Sequence, residues 1–262
     1  MSDHTTTTLA VRDCTITLMR GGCGAPLLFL HGASGGAWLP CLTSLAQDFD
    51  VIAPGHPGFG TSDTPDWLDT VHDLAYFYLD FIRQLDLRNV HLVGVSLGGW
   101  IAAELAVRDT SRLASLTLMD AAGLHVPGVK RIDPFLCSDE QRIRDFFHDQ
   151  AKAEAMIARI LTPELEDVAM KNRIATARLS WQPRNHDPHL AKWLHRIDVP
   201  TLLIWGADDK LFPVEYAWAW QQRIPGSKAV ILPECGHVPH IEKPAAFVSE
   251  LTTFIDSMRK AA

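Results

Sequence analysis

Short, continuous apolar runs alternate with helical patterns along this chain, and that alternation limits the fold more than any other feature of the sequence. The runs are Pro26 to Leu30, Val51 to Ala53, Val90 to Val95, Leu113 to Met119, Thr201 to Trp205 and Ala229 to Leu232. Apolar residues at every position, rather than at every second one, describe strands covered on both faces. Between the runs, residues such as Val71, Leu74, Ala75, Tyr78, Leu79, Ile82 and Leu85 fall at the three-and-four spacing that gives a helix one apolar stripe. Strand then helix, repeated, is the α/β class: a mostly parallel sheet flanked by helices. Leu9 to Arg20 supplies two strands of a meander before the alternation starts. The last helix follows Pro244, with Phe247, Val248, Leu251, Phe254, Ile255 and Met258 on its inner face and proline at its first turn.

The rhythm breaks from Gly123 to about Ile197, where only helical patches occur, such as Ile143, Phe146 and Phe147, then Met156, Ile157, Ile160 and Leu161. Residues 123–197 therefore read as an inserted helical subdomain in a core built from 1–122 and 198–262. An insertion at the carboxyl end of a parallel strand lies where a lid over a pocket would sit, because open α/β sheets bind ligands beyond those ends. With 262 residues, 47% of them hydrophobic, the chain can bury a sizeable core.

Charge and cysteine usage exclude several classes. The 24 basic and 31 acidic residues leave a net charge of -7, without the positive footprint that attracts phosphate backbones, so nucleic acid is not an expected partner. The five cysteines, Cys14, Cys23, Cys41, Cys137 and Cys235, are scattered and form no C-x-x-C pair, which reads as reduced thiols in a reducing compartment. No run approaches the roughly 18 consecutive apolar residues of a membrane span. The opening Met1 to Thr8 lacks the basic start and apolar stretch of a signal peptide, so a cytoplasmic protein with no membrane partner is expected. The threonine run in that segment is the one low-complexity stretch.

The sharpest chemical signal is Gly94-Val95-Ser96-Leu97-Gly98-Gly99, a G-x-S-x-G between an apolar run and a helical pattern. Glycines let the backbone double back so tightly that the serine hydroxyl is held exposed at the top of the sheet. A serine hydroxyl is a weak nucleophile, so it needs a histidine within hydrogen-bonding reach and a carboxylate to orient that histidine. His237, on a glycine- and proline-containing loop just past the run Ala229 to Leu232, can swing over the same sheet edge; His240 is its competitor. For the acid, Asp208 and Asp209 follow Gly206 at the end of another run, and Asp120 ends the run Leu113 to Met119. An oxyanion needs two preorganised donors, usually backbone amides. Leu97 supplies one, and the small-residue loop His31-Gly32-Ala33-Ser34-Gly35-Gly36 supplies the other, through Ala33.

These residues resemble the α/β-hydrolase superfamily of serine hydrolases, over nearly the whole chain. The resemblance rests on His31-Gly32, the loop Gly55-His56-Pro57-Gly58-Phe59-Gly60-Thr61-Ser62, the Ser96 elbow and the Asp209 and His237 segments, in the family's order of serine, acid and histidine. It implies a core sheet of about eight strands, a helical cap after the sixth, and Asp209 rather than Asp208 or Asp120 as the triad acid. Members with an aspartate nucleophile are dehalogenases or epoxide hydrolases, and Ser96 argues against both. A subgroup that hydrolyses carbon-carbon bonds of ring-fission products typically has tryptophan directly after the histidine, where this chain has Val238.

The expectation is thus a cofactor-free serine esterase acting on esters or lactones of small to medium apolar acyl groups, with Ser96, His237 and Asp209 catalytic and no metal. Carbon-carbon hydrolysis of an anionic dienone-type acid is the alternative, with Arg142, Arg144, Arg178 and Arg184 available as anchors; a small-molecule receptor of the same fold is a third. A homodimer through the insertion or an exposed edge strand is compatible with the sequence. Gly55, Gly58 and Gly60 have the wrong spacing for a dinucleotide loop, and His186, His189 and His195 lack a ligand spacing typical of metal sites. Among the eight tryptophans, Trp38, Trp181 and Trp193 are candidates for lining an acyl pocket.

Overall fold

A computed structural model describes residues 4–259; Met1, Ser2 and Asp3 of the opening segment lie outside the described residues. The threonine run is a strand: β1 (Thr5–Val11) pairs antiparallel with β2 (Cys14–Gly21) along its whole length, Thr5 facing Arg20 and Val11 facing Cys14. Its four threonines are exposed, which suits β-branched, hydroxylated side chains at a sheet edge. The sequence reading started this meander at Leu9, four residues late.

Six further strands follow: β3 (Ala25–Leu30), β4 (Phe49–Pro54), β5 (Val90–Val95), β6 (Leu113–Met119), β7 (Thr201–Gly206) and β8 (Lys228–Leu232). They form one eight-stranded sheet in the order β1-β2-β4-β3-β5-β6-β7-β8, parallel from β4 to β8. Every residue of β5 and β7 is buried, as continuous apolar runs require. Helices α1 (Pro40–Leu45) and α9 (Pro244–Arg259) cover one face, where Leu42, Leu45, Phe247 and Leu251 pack on Phe29, Val93 and Ile204. Helices α2 (Val71–Gln84) and α3 (Leu97–Ala106) cover the other, where Leu74, Tyr78, Phe81 and Ile101 pack on Leu28, Leu92 and Leu118. A capping box starts α2: the Asp73 amide donates to Thr70 Oγ1 and the Thr70 amide donates to Asp73 Oδ2.

The segment between β6 and β7 contains α4 (Asp139–Phe146), α5 (Gln150–Ile160) and α6 (Glu166–Ser180), with no strand of the sheet. Ser138 and Asp149 cap α4 and α5 with their side-chain oxygens, and Ile143, Phe147 and Ala153 close a small core between them. After β7 come α7 (Glu215–Gln221) and the short α8 (Pro239–Glu242). Among the described residues no helix is long and apolar enough to cross a membrane.

Candidate active site

Ser96 stands between β5 and α3 with φ 54° and ψ -115°, a left-handed conformation that a side-chain-bearing residue adopts only when its surroundings enforce it. The enforcement is steric and specific. A Cβ on Gly94 would lie 2.3 Å from the Gly98 carbonyl oxygen, and one on Gly98 would lie 2.1 Å from the Leu30 carbonyl oxygen. Strand, elbow and helix therefore touch backbone to backbone, and the β3 loop packs directly on the elbow. The Ser96 carbonyl accepts from the Trp100 and Ala122 amides.

The fold brings together residues 141 positions apart. His237 Nε2 lies 2.9 Å from Ser96 Oγ, and its Nδ1 lies 2.8 Å from Asp209 Oδ2. Asp209 is buried, and its Oδ1 accepts the amides of Leu211 at 2.7 Å and Phe212 at 2.9 Å, so three hydrogen bonds converge on one carboxylate. Such a carboxylate fixes the imidazole with its Nδ1 protonated and Nε2 free to accept from serine. Asp208 and His240 face away, and Asp120 lies behind Asp209 without bonding His237. Asp208 points outward to His148 at 2.9 Å, with about half its side chain exposed. His240 packs against the Phe29 ring, and burial lowers its pKa to about 3. Asp120 is buried at the end of β6, accepting the Gly206 amide at 3.0 Å.

Two supports were not visible in the sequence pattern. Glu242, buried in α8, accepts the Gly236 amide on Oε2 and the Asp149 amide on Oε1, tying the histidine loop to the start of α5. The His237 amide donates to the Phe146 carbonyl at 2.8 Å, a second tie to the inserted helices. On the opposite wall, the His31 and His56 rings stack at 3.7 Å; the His56 amide donates to His31 Nε2, and His56 Nε2 donates to the His31 carbonyl. Burial pushes His31 down to about 4 and His56 well below its ordinary range, so this pair stays neutral and braces the loop that carries Ala33. The amides of Ala33 and Leu97 donate to no acceptor among the described residues.

Ser96 and His237 open into a cavity of about 670 Å³, within the range of small-molecule sites. Its walls are mainly apolar, with Phe29, Trp100, Ile143, Phe146, Leu211 and Val238 among them. Trp181 also lines it, whereas Trp38 and Trp193 do not. Of the four arginines considered as anchors, only Arg142 reaches the wall. Arg142 and its neighbour Arg173 are both paired with Asp139, at 2.6 and 2.8 Å; Arg144 is paired with Glu154 and Arg184 with Asp133. Arg178 donates to the Leu68 carbonyl. His186, His189 and His195 do not converge: His186 contacts the Arg184 carbonyl, His189 faces Lys192 and His195 lies beside Trp193.

An eight-stranded, mostly parallel sheet with a serine on the elbow after β5 defines an α/β hydrolase. The chain belongs to that family: the model of the alpha/beta hydrolase fold matches residues 25–244. It is 30% identical to a 2-hydroxy-6-oxo-6-(2'-aminophenyl)hexa-2,4-dienoic acid hydrolase of Metapseudomonas resinovorans, over 90% of this chain and 86% of that one. It is 24% identical to Lipase 3 of a Moraxella species, over 90% and 79%. Among solved structures, a bacterial membrane phospholipase A superposes with a TM-score of 0.83 at 26% identity, covering 98% of this chain and 87% of that one.

Proposed function

We propose that this hydrolase cleaves carboxylic esters, or lactones, of small to medium apolar acyl groups through an acyl-serine intermediate, with residues 123–197 as a cap over the site. The observation that carries this reading is the unbroken line from Ser96 Oγ through His237 to Asp209, opening into an apolar cavity. Ser96 Oγ attacks the acyl carbonyl carbon while its proton passes to His237 Nε2. The carbonyl oxygen becomes an oxyanion, received by the Ala33 and Leu97 amides. As the intermediate collapses, the carbon-oxygen bond to the alcohol breaks, and the departing oxygen takes the proton from Nε2. Water then attacks acyl-Ser96 and gives its proton to His237; as the acyl–Oγ bond breaks, Nε2 returns that proton to Ser96 Oγ and the acid is freed. Asp209 holds the imidazolium throughout. The chemistry calls for no cofactor.

The pairing of Arg142 and Arg173 with Asp139 favours an uncharged acyl part, because an anionic substrate would have to compete with a carboxylate already in place. The second reading, carbon-carbon hydrolysis of a ring-fission product, is favoured by the 30% identity to the dienoic acid hydrolase. It would draw its anchor from Arg159, an exposed arginine on the cavity wall. The partner is in either case a small molecule, and five unpaired cysteines, three of them buried, suit the cytoplasm.

Hydrolysis of p-nitrophenyl esters from acetate to decanoate, alongside the ring-fission dienoate followed by loss of its visible absorption, separates the two. Ester turnover peaking at medium chain length is the expected result. Turnover of the dienoate alone would overturn the ester reading in favour of the second.

A further inference from the structure

Asn172, in the middle of α6, is 5% exposed and bonded to two loops far from it in sequence. Its Nδ2 donates to the Ser34 carbonyl at 2.9 Å, and its Oδ1 accepts the Gly60 amide at 2.8 Å. The Ser34 bond lands one residue from Ala33. One turn further, the Thr176 hydroxyl lies 3.4 Å from the Ala33 carbonyl while bonding the Asn172 carbonyl at 2.7 Å. At the other side, Lys171 Nζ donates to the Ser62 carbonyl at 2.5 Å.

We propose that Asn172 is a positioning residue for the oxyanion hole, so that the cap takes part in catalysis by holding the loop that carries the Ala33 amide. The inference rests on the serine-hydrolase reading of Ser96. The loop from Gly32 to Gly36 is rich in glycine, and the turn bond from the Gly35 amide to the Gly32 carbonyl, 3.2 Å, is long. Such a segment has many accessible conformations, and an oxyanion donor is effective only when its N–H is already aimed. The amide of residue 33 precedes the carbonyls of 33 and 34 in the same short turn. Pinning the Ser34 carbonyl to α6 therefore limits how the peptide at Ala33 can rotate. Gly35 is built for this contact. Its φ is +97°, and a Cβ there would lie 2.6 Å from Asn172 Nδ2, so any side chain would displace the Asn172 amide from the Ser34 carbonyl.

The test is the second-order rate constant for labelling of Ser96 by an alkyl fluorophosphonate, whose phosphoryl oxygen must enter the oxyanion hole as the Ser96 Oγ–P bond forms and fluoride leaves. The full-length wild type, Asn172→Ala and Asn172→Asp are compared, each checked by thermal melting. At pH 8, Asn172→Asp keeps the volume and the acceptor for Gly60, and sets an acceptor-only carboxylate oxygen against the Ser34 carbonyl in place of the donor. Both variants are expected to label about 10- to 100-fold more slowly, the range for a misaimed catalytic group. On any ester the protein turns over, kcat should fall by a similar factor while KM stays within about threefold. A lowered melting temperature with wild-type labelling would make Asn172 a mere fastener of the cap and overturn the proposal, as would wild-type labelling by Asn172→Asp. Failure of the wild type itself to label at Ser96 would remove this inference and the serine-hydrolase reading together. Labelling without turnover of any ester would remove the ester reading alone.

Discussion

The Asp120 and Asp209 carboxyls lie together behind His237, both buried, with oxygen atoms within 4.8 Å of one another. Asp209 is saturated by three donors, whereas Asp120 Oδ2 has none. Burial first, and the negative charge of Asp209 second, raise the Asp120 pKa well above the carboxylate range. The neutral form of Asp120 is thereby favoured, which keeps the negative charge of the pair on Asp209, beside His237.

Replacing Asp120 by Asn tests that arrangement. An acid with a raised folded pKa contributes stability below its unfolded value, about 3.9, and loses it as pH rises through the folded value. The amide has no such proton to lose and keeps an oxygen to accept from the Gly206 amide. Asp120→Asn should melt at or a few degrees above the wild type at pH 8, with the advantage gone by pH 4. A large loss of stability at pH 8 would show that the ionised carboxylate is required.

Asp209→Asn should lower kcat by about 10⁴-fold, since an amide that donates to Nδ1 would present the wrong tautomer to Ser96. Asp208→Asn should leave kcat within about twofold, because that side chain faces solvent and His148. Steady-state kinetics of the two variants assigns the acid.

His72 on α2 lies 3.0 Å from Asp187 Oδ2, near the end of the segment between β6 and β7, and 3.4 Å from Glu104 Oε1 on α3. Its hydrogen bond with Glu104 is the chief cause raising its pKa to about 9. A histidine with a raised folded pKa stabilises fully below about 6.5 and loses that contribution as pH climbs through 9. The melting-temperature gap between wild type and His72→Gln should be largest near pH 6 and close by pH 10. Because the imidazole is partly solvated, the gap should stay at a few degrees.

Gly98→Ala would drive a Cβ into the Leu30 carbonyl, separating the loop after β3 from the elbow. The variant should lose more than about 100-fold in kcat and melt several degrees lower, as measured on any ester the wild type turns over. Wild-type activity would mean the elbow has slack that the structure does not show.

Much of this fold was legible in the sequence because buried strands announce themselves by length and continuity, as Val90–Val95 and Thr201–Gly206 do. The elbow was legible because Gly94 meets the Gly98 carbonyl four residues on and the motif sits between a strand run and a helical run, although Gly98 answers to Leu30 on another strand. The threonine strand was not, since an edge strand with exposed hydroxyls carries no apolar signal. Nor were Glu242, the neutral His31–His56 pair or Asn172, whose partners lie on segments that meet only in the folded chain. Asn172 between Lys171 and Arg173, and Glu242 before Lys243, look in sequence like ordinary surface residues, and only their burial shows that they must be bonded.

The central claim is that Ser96 is the nucleophile. Intact-mass and peptide mapping after treatment with an alkyl fluorophosphonate tests it most directly, with Ser96→Ala alongside. One adduct per chain, located on Ser96 and lost in the variant, is the result predicted here. An unmodified wild type, or an adduct that persists in Ser96→Ala, would contradict it.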